Sequence, residues 1–284
     1  MRIYTLNTGF FKLDGGAMFG VVPKSLWNKE NPADENNLCT WAMRCLLVCD
    51  SGRNILIDTG MGNKQSEKFF GHYHPNGNQT LLNSILERGL CADDITDVIL
   101  THLHFDHCGG AVTKKGDELS LTFPKATYWS SEKHWAHALN PNVRERASFL
   151  KENILPIQES GQLKFIDEIT NERTLFTSNI EIQFVHGHTQ SMMLPFIHYN
   201  GKTIAYMADL IPSTAHIPLP YVMGYDMFPM TTLLEKESFL EEAVKNDIVL
   251  FFEHDPVNEC CTVQKTEKGY RKKEVFTLDS LHHD

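Results

Sequence analysis

Thr101-His102-Leu103-His104-Phe105-Asp106-His107-Cys108-Gly109-Gly110 is the stretch on which the reading of this chain turns. Three imidazoles and one carboxylate fall between His102 and His107. The apolar run Val98-Ile99-Leu100 just before it reads as the end of a buried strand. In the extended backbone that follows, His102 and His104 alternate and point to one side. Asp106 and His107 then turn into a loop or helix start and face a second point nearby. Neutral imidazole and carboxylate are ligands for zinc and similar ions. The segment therefore carries parts of two metal sites. The competing reading is a chance cluster of surface histidines. A His-x-His-x-Asp-His string at a strand end is too specific for that.

The chain has 284 residues, enough for one large domain, and we read residues 1–284 as a single domain. Its net charge is −10, and its only basic cluster is the short Arg271-Lys272-Lys273. Binding to nucleic acid by phosphate neutralisation is disfavoured. Cys39, Cys45, Cys49, Cys91, Cys108, Cys260 and Cys261 are odd in number and lack Cys-x-x-Cys spacing. Reduced thiols and a cytoplasmic location are expected. Cys108 reads as a small buried residue, not a ligand. Met1-Arg2-Ile3-Tyr4-Thr5-Leu6 looks like a first strand, not a signal peptide. No apolar run is long enough to span a membrane.

Along the chain, residues 2–8 read as a strand, Asp14-Gly15-Gly16 as a turn, and Ala17 to Val22 as a short strand ending at Pro23. Ala42 to Cys49 and Asn54 to Asp58 form a hairpin around Asp50-Ser51-Gly52-Arg53. Asn78 to Gly89 reads as a helix with Leu81, Leu82, Ile85 and Leu86 on one face. Ala126 to Trp129 is a strand, followed by helical material broken at Pro141 and Pro156. Ile180 to Val185, Leu194 to His198, and Thr203 to Met207 are strands, with a hairpin turn at Asn200-Gly201. Residues 210–230 form a long loop, Leu233 to Lys245 a helix, and Ile248 to Phe252 a last strand before a basic, polar tail. Strands precede helices in each half. Two α/β halves with stacked sheets are expected.

A two-ion site needs more donors than one motif supplies. His188 follows the strand 180–185, Asp209 the strand 203–207, and His254 the strand 248–252. Each sits at a C-terminal strand end, where α/β folds place chemistry. His186, two residues before His188, is the weaker candidate. His72, His74, His134, His137, His198, His282 and His283 have no matching context and read as loop or surface positions.

Taken together, Asp58-Thr59-Gly60, His102-x-His104-x-Asp106-His107, Gly187-His188-Thr189, Asp209 and His254 resemble the metallo-β-lactamase superfamily of hydrolases. The resemblance covers residues 40 to 255 or so. It implies a four-layer αββα sandwich. It also implies two divalent ions, zinc first, with Mn, Fe or Co as alternatives. His102, His104 and His188 would hold one ion; Asp106, His107 and His254 would hold the other; and Asp209 would bridge them. Asp58 resembles the aspartate that fixes a ligand histidine's tautomer. A water shared by two ions about 3.5–4 Å apart becomes a hydroxide nucleophile near neutral pH. Asp106 and Asp209 would then be the catalytic carboxylates, with Asp106 carrying a proton to the leaving group. His104 stands where the redox branch of the superfamily has Glu, which favours hydrolysis.

The pattern is most similar to the N-acyl-homoserine lactonase and methyl-parathion hydrolase branch. The implied substrate is a small ester, lactone or organophosphate. Pro212 stands where the lactonases place a tyrosine, and Tyr221 or Tyr225 would supply a hydroxyl instead. Met18, Phe19 and Phe105 would help wall an apolar pocket. The apolar loop 216–229 would serve equally as a homodimer contact. Two other readings are a phosphodiesterase-like metallohydrolase and a non-catalytic metal-binding protein.

Overall fold

The computed structural model describes residues Met1–His282. It divides into two compact units: Met1–Gly9 with Met43–Glu168, and Phe10–Ala42 with the chain from Ile169 onward. Strands β1 (Arg2–Asp14) and β2 (Leu38–Asp50) pass from one unit to the other, and the short helices α1 (Gly15–Phe19) and α2 (Lys24–Trp27) lie between them.

The first unit holds β3 (Arg53–Ile57), α3 (Glu67–Tyr73), α4 (Leu81–Leu86), β4 (Asp97–Ile99), α5 (Phe105–Cys108), β5 (Val112–Lys115), β6 (Glu118–Leu121), β7 (Thr127–Ser130), α6 (Glu132–Leu139), α7 (Lys151–Glu159) and β8 (Leu163–Phe165). Its sheet runs β1-β2-β3-β4-β7-β8, with β5 and β6 as a separate ribbon. The β2–β3 turn is built on Ser51 and Gly52, both at positive φ, as the hairpin twist demands. β3, β4 and β7 are parallel, so their C-terminal ends share one edge. Leu56, Val98, Leu100, Ile85, Tyr128 and Ile154 belong to the core. Asp97 opens β4 and ties three strands together. It accepts from Arg53 Nε (2.9 Å) and Nη2 (2.6 Å), from Thr96 Oγ1 (2.6 Å), and from Trp129 Nε1 (2.8 Å).

The second unit holds β9 (Thr174–Thr177), β10 (Ile180–Val185), β11 (Met192–Tyr199), β12 (Lys202–Tyr206), α8 (Pro229–Asn246), β13 (Val249–Phe251), β14 (Cys260–Thr266) and β15 (Gly269–Phe276). Its sheet runs β15-β14-β13-β12-β11-β10-β9. Asn200 and Gly201 take the positive φ values of the expected hairpin. β10 and β12 are both antiparallel to β11, and β12 is parallel to β13. The C-terminal ends of β10, β12 and β13 therefore share one edge. Helix α8 buries Thr232, Lys236, Phe239, Leu240 and Ala243 on one face.

Several expectations need correction. Residues 17–22 are not a strand. The Asp14 carboxylate caps α1 by accepting from the Ala17 N–H at 2.8 Å, and that capping overrides the apolar run. Leu82 and Leu86 lie exposed on α4, which buries Leu81 and Ile85 instead. Pro156 does not break the chain but sits inside α7. The bond it forgoes is to the carbonyl of Glu152, at a half-buried position. The polar tail is the hairpin β14–β15. Cys260, Cys261, Val263 and Tyr270 are buried there while the charged residues face out, as on a sheet edge.

The Asp97 carboxyl is buried. Burial alone would raise its pKa, but the hydrogen bonds from Arg53, Thr96 and Trp129 outweigh burial and lower it. A carboxylate with a depressed folded pKa contributes stability above its unfolded value of about 3.9. That contribution is lost as pH falls through the folded value. Asp97→Ala should therefore cost about 2 kcal/mol in urea unfolding at pH 7. The gap to the parent should narrow below about pH 4; an unchanged gap at pH 3 would remove the carboxylate from this role.

Candidate metal centre

The first unit assembles its donors at the shared edge of β3 and β4. Asp58 follows β3 with φ of 58° and is fully buried. Its Oδ1 accepts the Thr101 N–H (2.8 Å), and its Oδ2 accepts the Thr101 hydroxyl (2.6 Å) and pairs with His107 Nδ1 (3.1 Å). The Thr101 hydroxyl also lies 3.2 Å from His102 Nδ1. Since it donates to Asp58, it accepts from the imidazole. The loop after Asp58 clamps the end of the motif. Thr59 N–H and Oγ1 both donate to the His107 carbonyl, at 2.8 and 2.9 Å. A Cβ on Gly109 would lie 2.0 Å from the Met61 carbonyl oxygen, and one on Gly110 2.2 Å from that of Thr59. Both glycines are required by backbone-to-backbone contact.

The histidine rings are crowded. His102 stands 4.5 Å from His104 and 3.9 Å from His107, centroid to centroid. His102 and His104 each offer a ligand atom within 4.8 Å of the other, and so do Asp106 and His107. All four are buried. His104 Nε2 pairs with Glu145 Oε1 at 3.0 Å, and the other Glu145 oxygen meets His137 Nε2 at 2.7 Å.

The second unit assembles His188, Asp209 and His254 at the ends of β10, β12 and β13. His188 Nε2 lies 3.1 Å from Asp209 Oδ2, and its Nδ1 lies 2.8 Å from Asp226 Oδ1. His254 Nε2 lies 3.3 Å from Asp209 Oδ1, and its Nδ1 donates to the Ala42 carbonyl at 2.7 Å. Burial pulls the His188 pKa down, but Asp209 and Asp226 pull harder and raise it to about 10. Two carboxylates around one buried imidazole call for a cation. The donors in both units are imidazole nitrogen and carboxylate oxygen, the set that suits a divalent ion such as zinc.

Other residues fall differently from expectation. His134 is no surface residue. It is buried on α6, and its Nε2 accepts the Leu103 N–H at 2.8 Å, inside the motif. His186 Nδ1 accepts the Ser191 N–H, a local structural bond. His72 and His74 are exposed, His198 pairs with Glu181, and His283 lies outside the described residues. Phe19 is fully buried, with His216 stacked at 4.5 Å and Trp27 stacked at 5.2 Å. It is core packing, not an open wall. Met18 is buried beside it, and its carbonyl faces His216 Nε2 at 2.9 Å. Burial lowers the His216 pKa to about 3, so this imidazole is neutral. Phe105 is buried against Phe69 and Tyr73. Tyr225 is exposed. Tyr221 lines a cavity of about 190 Å³ with Thr214, Ile217, Arg271 and Lys272. Cys108 is buried, and burial pushes its thiol up to about 12. Its Sγ donates to the Leu103 carbonyl at 3.3 Å.

Sequence reasoning does not find Glu145, Asp226 or Glu235, and it places the buried His134 at the surface. Glu145 sits in Arg144-Glu145-Arg146, which looks like a surface charge run. Asp226 is the lone acid in an otherwise apolar loop, and that isolation was its one signal.

Solved structures share this fold. A probable metal-dependent hydrolase from Staphylococcus aureus is 28% identical, covering 97% of this chain and 98% of its own, with a TM-score of 0.85. AidC, a dizinc quorum-quenching lactonase solved with the product N-hexanoyl-L-homoserine, is 25% identical over 97% of this chain and 95% of its own, with a TM-score of 0.78. A B. thuringiensis AiiA variant with N-decanoyl-L-homoserine at its active site is 20% identical over 89% and 93%, with a TM-score of 0.69, and speaks to the fold alone. Residues 44–254 match the profile of the metallo-beta-lactamase superfamily. On its fold, its donor set and this match, the chain belongs to the metallo-beta-lactamase superfamily, as a metal-dependent hydrolase.

Proposed function

We propose that the chain is a cytoplasmic, single-domain dinuclear hydrolase of a small ester, lactone or organophosphate. One observation carries this reading. Each of five buried histidines has one ring nitrogen engaged by an oxygen: His102 by Thr101, His104 by Glu145, His107 by Asp58, His188 by Asp226, and His254 by the Ala42 carbonyl. Such partners fix the tautomer and orientation of metal-ligating imidazoles. The residues that would hold the ions are His102, His104 and His188 for one and Asp106, His107 and His254 for the other, with Asp209 shared, as the family resemblance implies. Zinc is the first choice of ion.

A pair of divalent ions lowers the pKa of water and polarises a carbonyl or phosphoryl oxygen. The protein's own residues do the rest. Asp58, Glu145 and Asp226 hold the imidazoles in place. Asp209 is held between His188 and His254. Asp106 would carry a proton to the leaving oxygen as the general acid. The free thiols fit a reducing compartment. Among the described residues no helix is long and apolar enough to cross a membrane.

Metal analysis together with a substrate panel tests the reading. Purified protein should hold two divalent ions per chain and hydrolyse aryl esters, N-acyl lactones or phosphotriesters. One ion per chain, or a silent panel with two bound, would sink the proposal. Asp209→Ala should abolish turnover and lower metal occupancy.

The oxygen partners make a separate prediction. Asp226→Asn and Glu145→Gln should each weaken zinc binding by about 10–100-fold with little change in secondary structure. Competition with a chromophoric chelator measures it, and parent-like affinity in both variants would refute the tautomer argument.

A further inference from the structure

Helix α8 carries two adjacent charged residues that do not serve solvent. Lys236 is only 1% exposed, although an ammonium is costly to bury. Its Nζ donates to the carbonyls of Pro218 (2.8 Å), Leu219 (3.4 Å) and Tyr221 (2.9 Å). Three N–H donors meet three backbone acceptors in an irregular segment with no strand ladder to satisfy them.

The same loop continues to the ligand candidate His188. Asp226 Oδ1 holds His188 Nδ1 at 2.8 Å. The Met227 N–H donates to the His188 carbonyl at 3.0 Å, and the Phe228 N–H to the Gly187 carbonyl at 2.8 Å. Glu235, the neighbour of Lys236, accepts the N–H groups of His186 (2.6 Å) and Gly187 (3.0 Å). The first turn of α8 presses on the same segment, since a Cβ on Gly187 would lie 2.3 Å from the Thr232 nitrogen. One helix therefore grips two pieces of chain. Glu235 takes the His186–Gly187 segment by its amides, and Lys236 takes the 218–221 loop by its carbonyls. Asp226, Met227 and Phe228 close the two pieces on each other.

We propose that Lys236 is a positioning residue that anchors the 218–228 loop to α8, so that Asp226 sets the His188 ring at Nδ1. Lys236 itself touches neither substrate nor ion. Its bearing on metal binding rests on His188 being a ligand, whereas the anchoring can be read in metal-free protein.

Amide hydrogen exchange on the full, metal-free chain is the test. In Lys236→Met the amides of Met227 and Phe228 should exchange about tenfold faster or more, while the β11–β12 ladder keeps its protection. In the same samples the hydrogen-bonded Nδ1 proton of His188 should lose its low-field resonance in Lys236→Met and keep it in Lys236→Arg. Unchanged Met227 and Phe228 amides overturn the proposal, and so does an equal rise across the β11–β12 ladder, which would mark a general loss of stability. If Lys236→Met does not fold, Lys236→Gln carries the test; with fewer donors it should release the same amides, and Lys236→Arg should not. A zinc titration separates the two claims. Released loop amides with parent-like zinc affinity would uphold the anchor and remove His188 from the ligand set.

Discussion

The buried carboxylate of Asp58 is the constraint on which the first unit's chemistry depends. It leaves β3 in a positive-φ conformation and binds both the backbone and the hydroxyl of Thr101, then His107. Thr101 in turn receives the Nδ1 proton of His102. One carboxylate thus orders two imidazoles, one directly and one through a hydroxyl. Charge-assisted bonds of this kind are among the stronger ones available to a folded chain. Their value here is directional, because an imidazole whose one nitrogen is committed presents its other edge at a fixed angle.

The second unit solves the same problem with different parts. Asp226 comes from an irregular loop and Ala42 from within β2, and the two orient His188 and His254. A loop is a poor support for a ligand's partner unless something stiffens it. Helix α8 supplies that stiffness through side chains usually found at surfaces, a lysine and a glutamate turned inward onto backbone groups.

Much of this was legible in the sequence, for a definite reason. Metal ligands must be particular residue types, and the strand before each one is an apolar run. The candidate ligands His102, His104, Asp106, His107, His188, Asp209 and His254 could therefore be picked out from type and context together. The supporting residues could not. Glu145 and Asp226 act through tertiary contacts 41 and 38 residues away in sequence, and no spacing rule connects them to His104 and His188. Lys236 sits in a helix whose pattern explains its neighbours Phe239 and Leu240 but not a buried ammonium. The short helix α1 was hidden because a single capping aspartate outweighed the apolar run after it. The β14–β15 hairpin was hidden because an edge strand wears charge on its open side.

The parallel pairing of β3, β4 and β7 also bears on how the chain folds. Parallel neighbours cannot be joined by a tight turn, so each pairing waits for a long connection to close. The Asp58–His107 bond spans 49 residues and the Asp58–Thr101 bonds span 43. Contacts of that separation form slowly, because loop-closure entropy must be met before they stabilise anything. On that ground the histidine motif is expected to acquire its geometry late in the folding of its unit.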